Sequence, residues 1–356
     1  MLNASTAAAS NSNCFDLMRV LAATAVLYSH SFALLGMPEP QPIAGQSWGS
    51  LAVAAFFAIS GYLVCSSWTR DPSVSRFAVR RALRIIPGLF VVVFVTAVLL
   101  GPALSSLSVP EYFDDNRTIK YFFSTLLFLS VPELPGLFEH NPFPHANNGS
   151  LWTLRYEILM YAVLAVVGAG LPARYFKSAC VTLLGGLVVC WFGLTLYDIK
   201  PYKIPLVWRL GTELYGDRLC VLGIYFFTGA CLHLFRERLR LSPLLAATLC
   251  ILPVLLNNAD WVTPLLWLAI PYGAITLAYR APASLRVVSI HDYSYGIYIY
   301  AFPVQQVVVS MLPQAPQRWL LSLLITLVVT VILAALSWHW VEKPMLRLKG
   351  KFLRSA

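Results

Sequence analysis

Ten long apolar segments constrain this chain more than any other feature. They lie near residues 15–35, 50–68, 84–104, 152–170, 178–197, 219–235, 243–257, 262–279, 288–311 and 318–340. A run of about 20 apolar residues spans a bilayer core as a helix, because a helix satisfies its own backbone hydrogen bonds there. Only 12% of the 356 residues are charged, about half the share of a soluble domain, and mean hydropathy is +0.69. The expected fold is all-α: a polytopic transmembrane helix bundle over residues 15–348, with a polar tail 1–14 and a basic tail 349–356.

The loops divide by charge. Arg70, Arg76, Arg80, Arg81 and Arg84 follow the second segment, and Arg174, Lys177, Arg236, Arg238, Arg240, Arg280 and Arg286 fall in later loops of the same set. Glu111, Asp114 and Asp115 lie in the opposite set. Basic loops stay in the cytoplasm, which predicts ten spans with both termini cytoplasmic. Tyr121–Val131 is too short to span, so a re-entrant or interfacial segment is expected near 119–131. The formal charge of +10 is thus a topology signal rather than a nucleic-acid footprint. The seven cysteines contain no C-x-x-C pair and are expected to be small buried hydrophobes. No metal-binding or nucleotide-fold motif is present, and no internal repeat is evident.

Ionisable residues inside such a chain are costly and usually functional. Arg19 and His30, eleven positions apart in the first segment, share one helical stripe about 16 Å long. Asp16 lies one turn below Arg19 and is the expected partner. The alternative is helix packing, with all three residues structural. Residues Asn147–Glu157 read as a loop, an N-cap at Ser150 and a helix start. That places Glu157 at about the depth of His30, as an orienting carboxylate for a base or as an interfacial charge beside Arg155. Arg80, Arg81 and Arg84 cluster on a helix start and suit either phosphates or lipid headgroups. Ser60-Gly61 permits close helix approach, and Tyr295 and Tyr298 lie deeper than an interfacial belt requires.

Together these blocks resemble acyltransferase family 3, polytopic membrane O-acyltransferases of bacterial glycans. The resemblance rests on Phe15–Arg19 with His30, Phe56–Tyr62, Arg81–Pro87, Gly149–Leu154 with Glu157, Ser294–Tyr298 and Trp340–Pro344, in that order. It implies transfer of an acyl group, most commonly acetyl, from cytoplasmic acyl-CoA (a donor substrate rather than a bound cofactor) to a hydroxyl of an exported polysaccharide or its lipid-linked precursor, at the bacterial inner membrane. His30 then acts as base or acyl relay, with Arg19, Asp16 and Glu157 catalytic. Arg80, Arg81 and Arg84 hold the donor, while Ser60, Trp152, Arg155, Tyr295 and Tyr298 line the acceptor cavity. Ala301 stands where many members have histidine. Expected partners are membrane lipid, the glycan acceptor and polysaccharide assembly proteins. The outer loop Asp198–Arg218, with Tyr202, Trp208, Arg209, Tyr215 and Asp217, has a composition suited to gripping a glycan or to anchoring at the interface. The rival classes are a lipid-linked glycan flippase using His30 and Glu157 as a proton relay, and a scaffold subunit.

Overall fold

The computed structural model describes residues 13–43, 45–197, 214–257, 259–282, 292–313, 317–348 and 350. Each of the ten apolar segments forms a helix: α1 (Phe15–Ala33), α2 (Trp48–Arg70), α3 (Val74–Leu104), α6 (Leu151–Gly170), α7 (Ala173–Leu196), α8 (Gly216–Leu234), α9 (Pro243–Leu256), α10 (Ala259–Arg280), α11 (Ser294–Met311) and α12 (Arg318–Arg347). Two short helices, α4 (Val109–Asp114) and α5 (Asn116–Leu126), fill the connection after α3. There is no strand among the described residues. The chain is a multi-pass membrane protein: among the described residues, seven of these ten helices are long and apolar enough to cross a bilayer, α1, α9 and α11 being the other three. The count of ten crossings is a sequence expectation.

Local chemistry sets the helix starts. Ser47 caps α2 by accepting the Ser50 N–H at 3.2 Å, and Ser242 caps α9 from Leu245 at 3.3 Å, each satisfying a donor the helix cannot. The segment near 119–131 contains α5, an 11-residue helix. At about 1.5 Å per residue α5 is too short to cross, and it packs beside α3. Ser150 stands at the expected N-cap position but does not cap with its side chain. Residues Leu151–Thr153 form a 3₁₀ turn, and the Ser150 Oγ makes no capping bond.

At the centre α2 crosses α8 backbone to backbone. A Cβ on Gly61 would lie 1.8 Å from the Phe226 carbonyl oxygen, and one on Gly229 would lie 2.0 Å from that of Ala58. Membrane helices gain van der Waals contact through such small residues because lipid offers no hydrophobic drive between them. The variant Gly61→Val is therefore expected to lose the monodisperse peak in detergent size-exclusion chromatography. A wild-type profile would show that the crossing tolerates a side chain.

Around this pair, α7 and α9 lie outermost, with only Phe176 and Cys180 buried on α7 and Ala246 and Pro253 on α9. Cys190 and Cys250, expected to be buried, are exposed on these two helices, whose surfaces face the apolar solvent. In contrast α11 is buried along almost its whole length although it carries tyrosines and Gln305 and Gln306. Pro303 lacks the N–H that would bond the Ile299 carbonyl, and Asn148 donates to that oxygen instead at 2.8 Å. The Gln306 amide donates to the Phe143 and Ala146 carbonyls, both at 2.9 Å. The loop before α6 is thereby fastened to α11, bringing Ser150, Trp152 and Thr153 toward the bundle axis.

Candidate active site

At one end of the bundle four ionisable groups from four different parts of the chain converge. Arg19 on α1 donates to Asp292 at 2.5 Å, and Arg84 on α3 donates to the same carboxylate oxygen. Arg84 also reaches Glu342 at 3.4 Å. Glu342 sits in the π-turn Trp338–Glu342 of α12, is 1% exposed, and accepts from the Ser337 hydroxyl at 3.0 Å. A π-turn shifts the side-chain register by one residue, turning Glu342 inward. Arg84 further lies over the rings of Tyr295 and Trp338. The expected partner of Arg19, Asp16, is instead exposed: the guanidinium reaches across to α11 rather than down its own helix.

Above this cluster lies a small cavity of about 50 Å³, lined by Arg19, Ser60, Thr153, Glu157, Tyr295 and Tyr298 among others. Glu157 accepts from Ser60 at 2.8 Å and from the Tyr161 hydroxyl. The expected base–carboxylate pair of His30 and Glu157 therefore does not form. Glu157 faces the Arg19 side and is held by α2 and its own helix. Tyr295 donates to the Ile85 carbonyl at 2.7 Å, tying α11 to α3.

A second cavity, of about 280 Å³, adjoins the first. Val53 and Tyr298 line both. Tyr298 donates to the Ser150 carbonyl at 2.8 Å and shares a 2.6 Å bond with Thr153, so the fastened loop before α6 holds the partition. His30 faces this second cavity with Trp152, Arg218, Glu39 and Ser50. Its ring stands edge-on to Phe302 at 5.3 Å, and its Nδ1 is buried without a hydrogen-bond partner among the described residues.

The three arginines expected to act together are separated. Arg80 is committed to Asp71 at 2.5 Å; hydrogen bonds from Arg76 and Arg80 hold that carboxyl well below the usual carboxylate range. Arg81 lies against the Phe77 and Tyr161 rings, and its Nε is buried without a hydrogen-bond partner. Only Arg84 joins Arg19. Arg155 lines neither cavity, because its guanidinium is drawn to the Trp152 and Leu129 carbonyls. Residues 198–213, with Tyr202, Trp208 and Arg209, lie outside the described residues. Among the described residues no group of three or more His, Cys, Asp or Glu side chains is arranged to hold a metal ion. Asp292, Glu342 and Glu39 were not identified from sequence as site residues. Asp292 opens the tyrosine-rich block of α11, an acidic residue at the basic end of the chain's topology, and that was the available signal.

A family model described as an acyltransferase domain matches residues 12–339. An O-acetyl transferase of Shigella phage Sf6 is 34% identical over 341 residues, covering 94% of this chain and 96% of the relative. Nodulation protein 10 of Rhizobium leguminosarum bv. viciae is 26% identical, covering 95% and 94%. A Bacillus subtilis (strain 168) protein provisionally named a peptidoglycan O-acetyltransferase is 26% identical, covering 83% of this chain and 50% of its own length. No solved structure matches the chain.

Proposed function

The chain belongs to the acyltransferase-domain family and is a membrane O-acyltransferase, and from that premise we propose that it carries an acetyl group from cytoplasmic acetyl-CoA to a glycan hydroxyl on the far side of a bacterial inner membrane. The observation that carries this reading is the pair of adjoining cavities. One is bounded by Arg19 and Glu157, the other by His30 and Trp152, with Val53 and Tyr298 common to both. A group delivered at the arginine end has a short protein-lined route to the histidine.

In the proposed reaction the donor's phosphates approach Arg19 and Arg84, whose guanidinium forks suit phosphate oxygens. Its thioester reaches the partition at Tyr298. There the acceptor hydroxyl attacks the thioester carbonyl while a ring nitrogen of His30 takes the hydroxyl proton. The carbon–sulfur bond breaks, and the imidazolium returns the proton to the leaving thiolate, giving the ester and free thiol. Exclusion of water from the cavities limits hydrolysis of the thioester. A surface polysaccharide, or its lipid-linked precursor, fits the acceptor class because the Bacillus relative is named for a glycan.

In cells, His30→Ala is expected to remove O-acetyl groups from the glycan while its export continues. Loss of export with the acetyl content per repeat unchanged would favour transport instead.

A further inference from the structure

The loop joining α1 to α2 carries a carboxylate that the reaction above leaves without a task. The loop is fixed at both ends. The Met37 N–H donates to the Phe32 carbonyl at 2.9 Å, Gly36 turns with φ +67°, and the buried Ile43 packs against Val262 and Leu266. At the α2 end, Gly49 lies so close to α1 that its N–H donates to Ser29 at 2.9 Å. A Cβ there would meet the Ser29 oxygen at 2.6 Å and the Glu39 Oε1 at 3.7 Å.

Glu39 is thus held in the wall of the His30 cavity. Its Oε1 is buried with no hydrogen-bond partner among the described residues. Burial raises its carboxyl above the usual range, opposed by a hydrogen bond from Ser47. A buried, unsatisfied carboxylate oxygen is costly, and a ligand bearing hydroxyl donors relieves that cost. Elsewhere in the same wall Trp152 carries the Arg218 guanidinium over its ring at 4.7 Å. Ser50 donates to Gln46 at 3.1 Å, and both residues line the cavity. A carboxylate, a guanidinium and hydroxyl and amide groups in one wall offer acceptors and donors for the hydroxyls of a sugar.

We propose that Glu39 is an acceptor-binding residue, its carboxylate accepting a hydrogen bond from a sugar hydroxyl and so fixing which neighbouring hydroxyl meets His30. This rests on the reading that a glycan hydroxyl is acylated in the His30 cavity. The test uses the purified full chain in detergent, acetyl-CoA, and surface polysaccharide of the source strain stripped of O-acyl groups by mild alkali.

Glu39→Ala is expected to raise KM for the polysaccharide about tenfold or more, the scale of a lost charge-assisted hydrogen bond. KM for acetyl-CoA and the melting temperature should stay at wild-type values. Glu39→Gln, which keeps one acceptor oxygen, should fall between. An unchanged polysaccharide KM in Glu39→Ala would overturn the proposal, as would a rise in both KM values with a lowered melting temperature, the mark of a structural role. Wild-type protein that transfers nothing would contradict the glycan-acceptor reading beneath it.

Discussion

Replacing His30 with alanine is expected to lower acetyl transfer by about 10²–10⁴-fold, the usual contribution of a positioned general base. The same change should leave the fold nearly untouched. Among the described residues the His30 Nδ1 makes no hydrogen bond, and its ring packs edge-on against Phe302, so truncation leaves none of their polar groups orphaned at that nitrogen. Transfer of labelled acetyl from acetyl-CoA to deacylated polysaccharide, measured beside a thermal melt, separates the two roles. Loss of rate with an unchanged melting temperature fits the base. A large fall in melting temperature with the remaining folded protein fully active would make His30 a packing residue.

The second large effect is expected at Asp292. Its carboxylate is shared by Arg19 and Arg84, and all three side chains are mostly buried, with 12%, 22% and 15% exposure. Asp292→Ala leaves two guanidiniums facing each other, with the Glu342 carboxylate 3.4 Å from Arg84 as the remaining ion-pair partner among the described residues. Breaking a buried pair from one side costs about 3–5 kcal/mol, because the remaining charge stays desolvated. Activity should fall at least as far as it does for Arg19→Ala, since both arginines lose their position at the first cavity. Asp292→Glu should recover part of both stability and rate. Wild-type melting and kinetics in Asp292→Ala would mean the cluster holds nothing in place.

The helices were legible in the sequence because lipid leaves a chain few options: each apolar segment formed one, and their ends fell near the charged loops. The Arg19–His30 stripe was equally legible, being a matter of helical period within one segment. Partnership was not. Arg19 pairs with Asp292, 273 residues away, while the local rule pointed to Asp16. Glu157 looked like a partner for His30 by depth alone, yet depth says nothing of azimuth, and the side chain turns to Ser60 and Tyr161. Arg80, Arg81 and Arg84 are neighbours in sequence, but Arg80 reaches back to Asp71 before the helix start, while Arg84, one turn further on, reaches Asp292. Glu342 depends on a π-turn that no periodicity signals. Glu39 sits in a loop, where position is set by contacts such as Gly49 against Ser29 rather than by pattern.

The central claim is that one chain takes an acyl group in at the Arg84 end and delivers it at the His30 end. Proteoliposomes test it directly. Deacylated polysaccharide is sealed inside vesicles bearing the protein, and membrane-impermeant labelled acetyl-CoA is added outside only. Transfer through the bundle predicts label on the enclosed polysaccharide, absent from vesicles bearing His30→Ala. Label appearing only on polysaccharide added to the same side as acetyl-CoA would contradict a route across the bilayer.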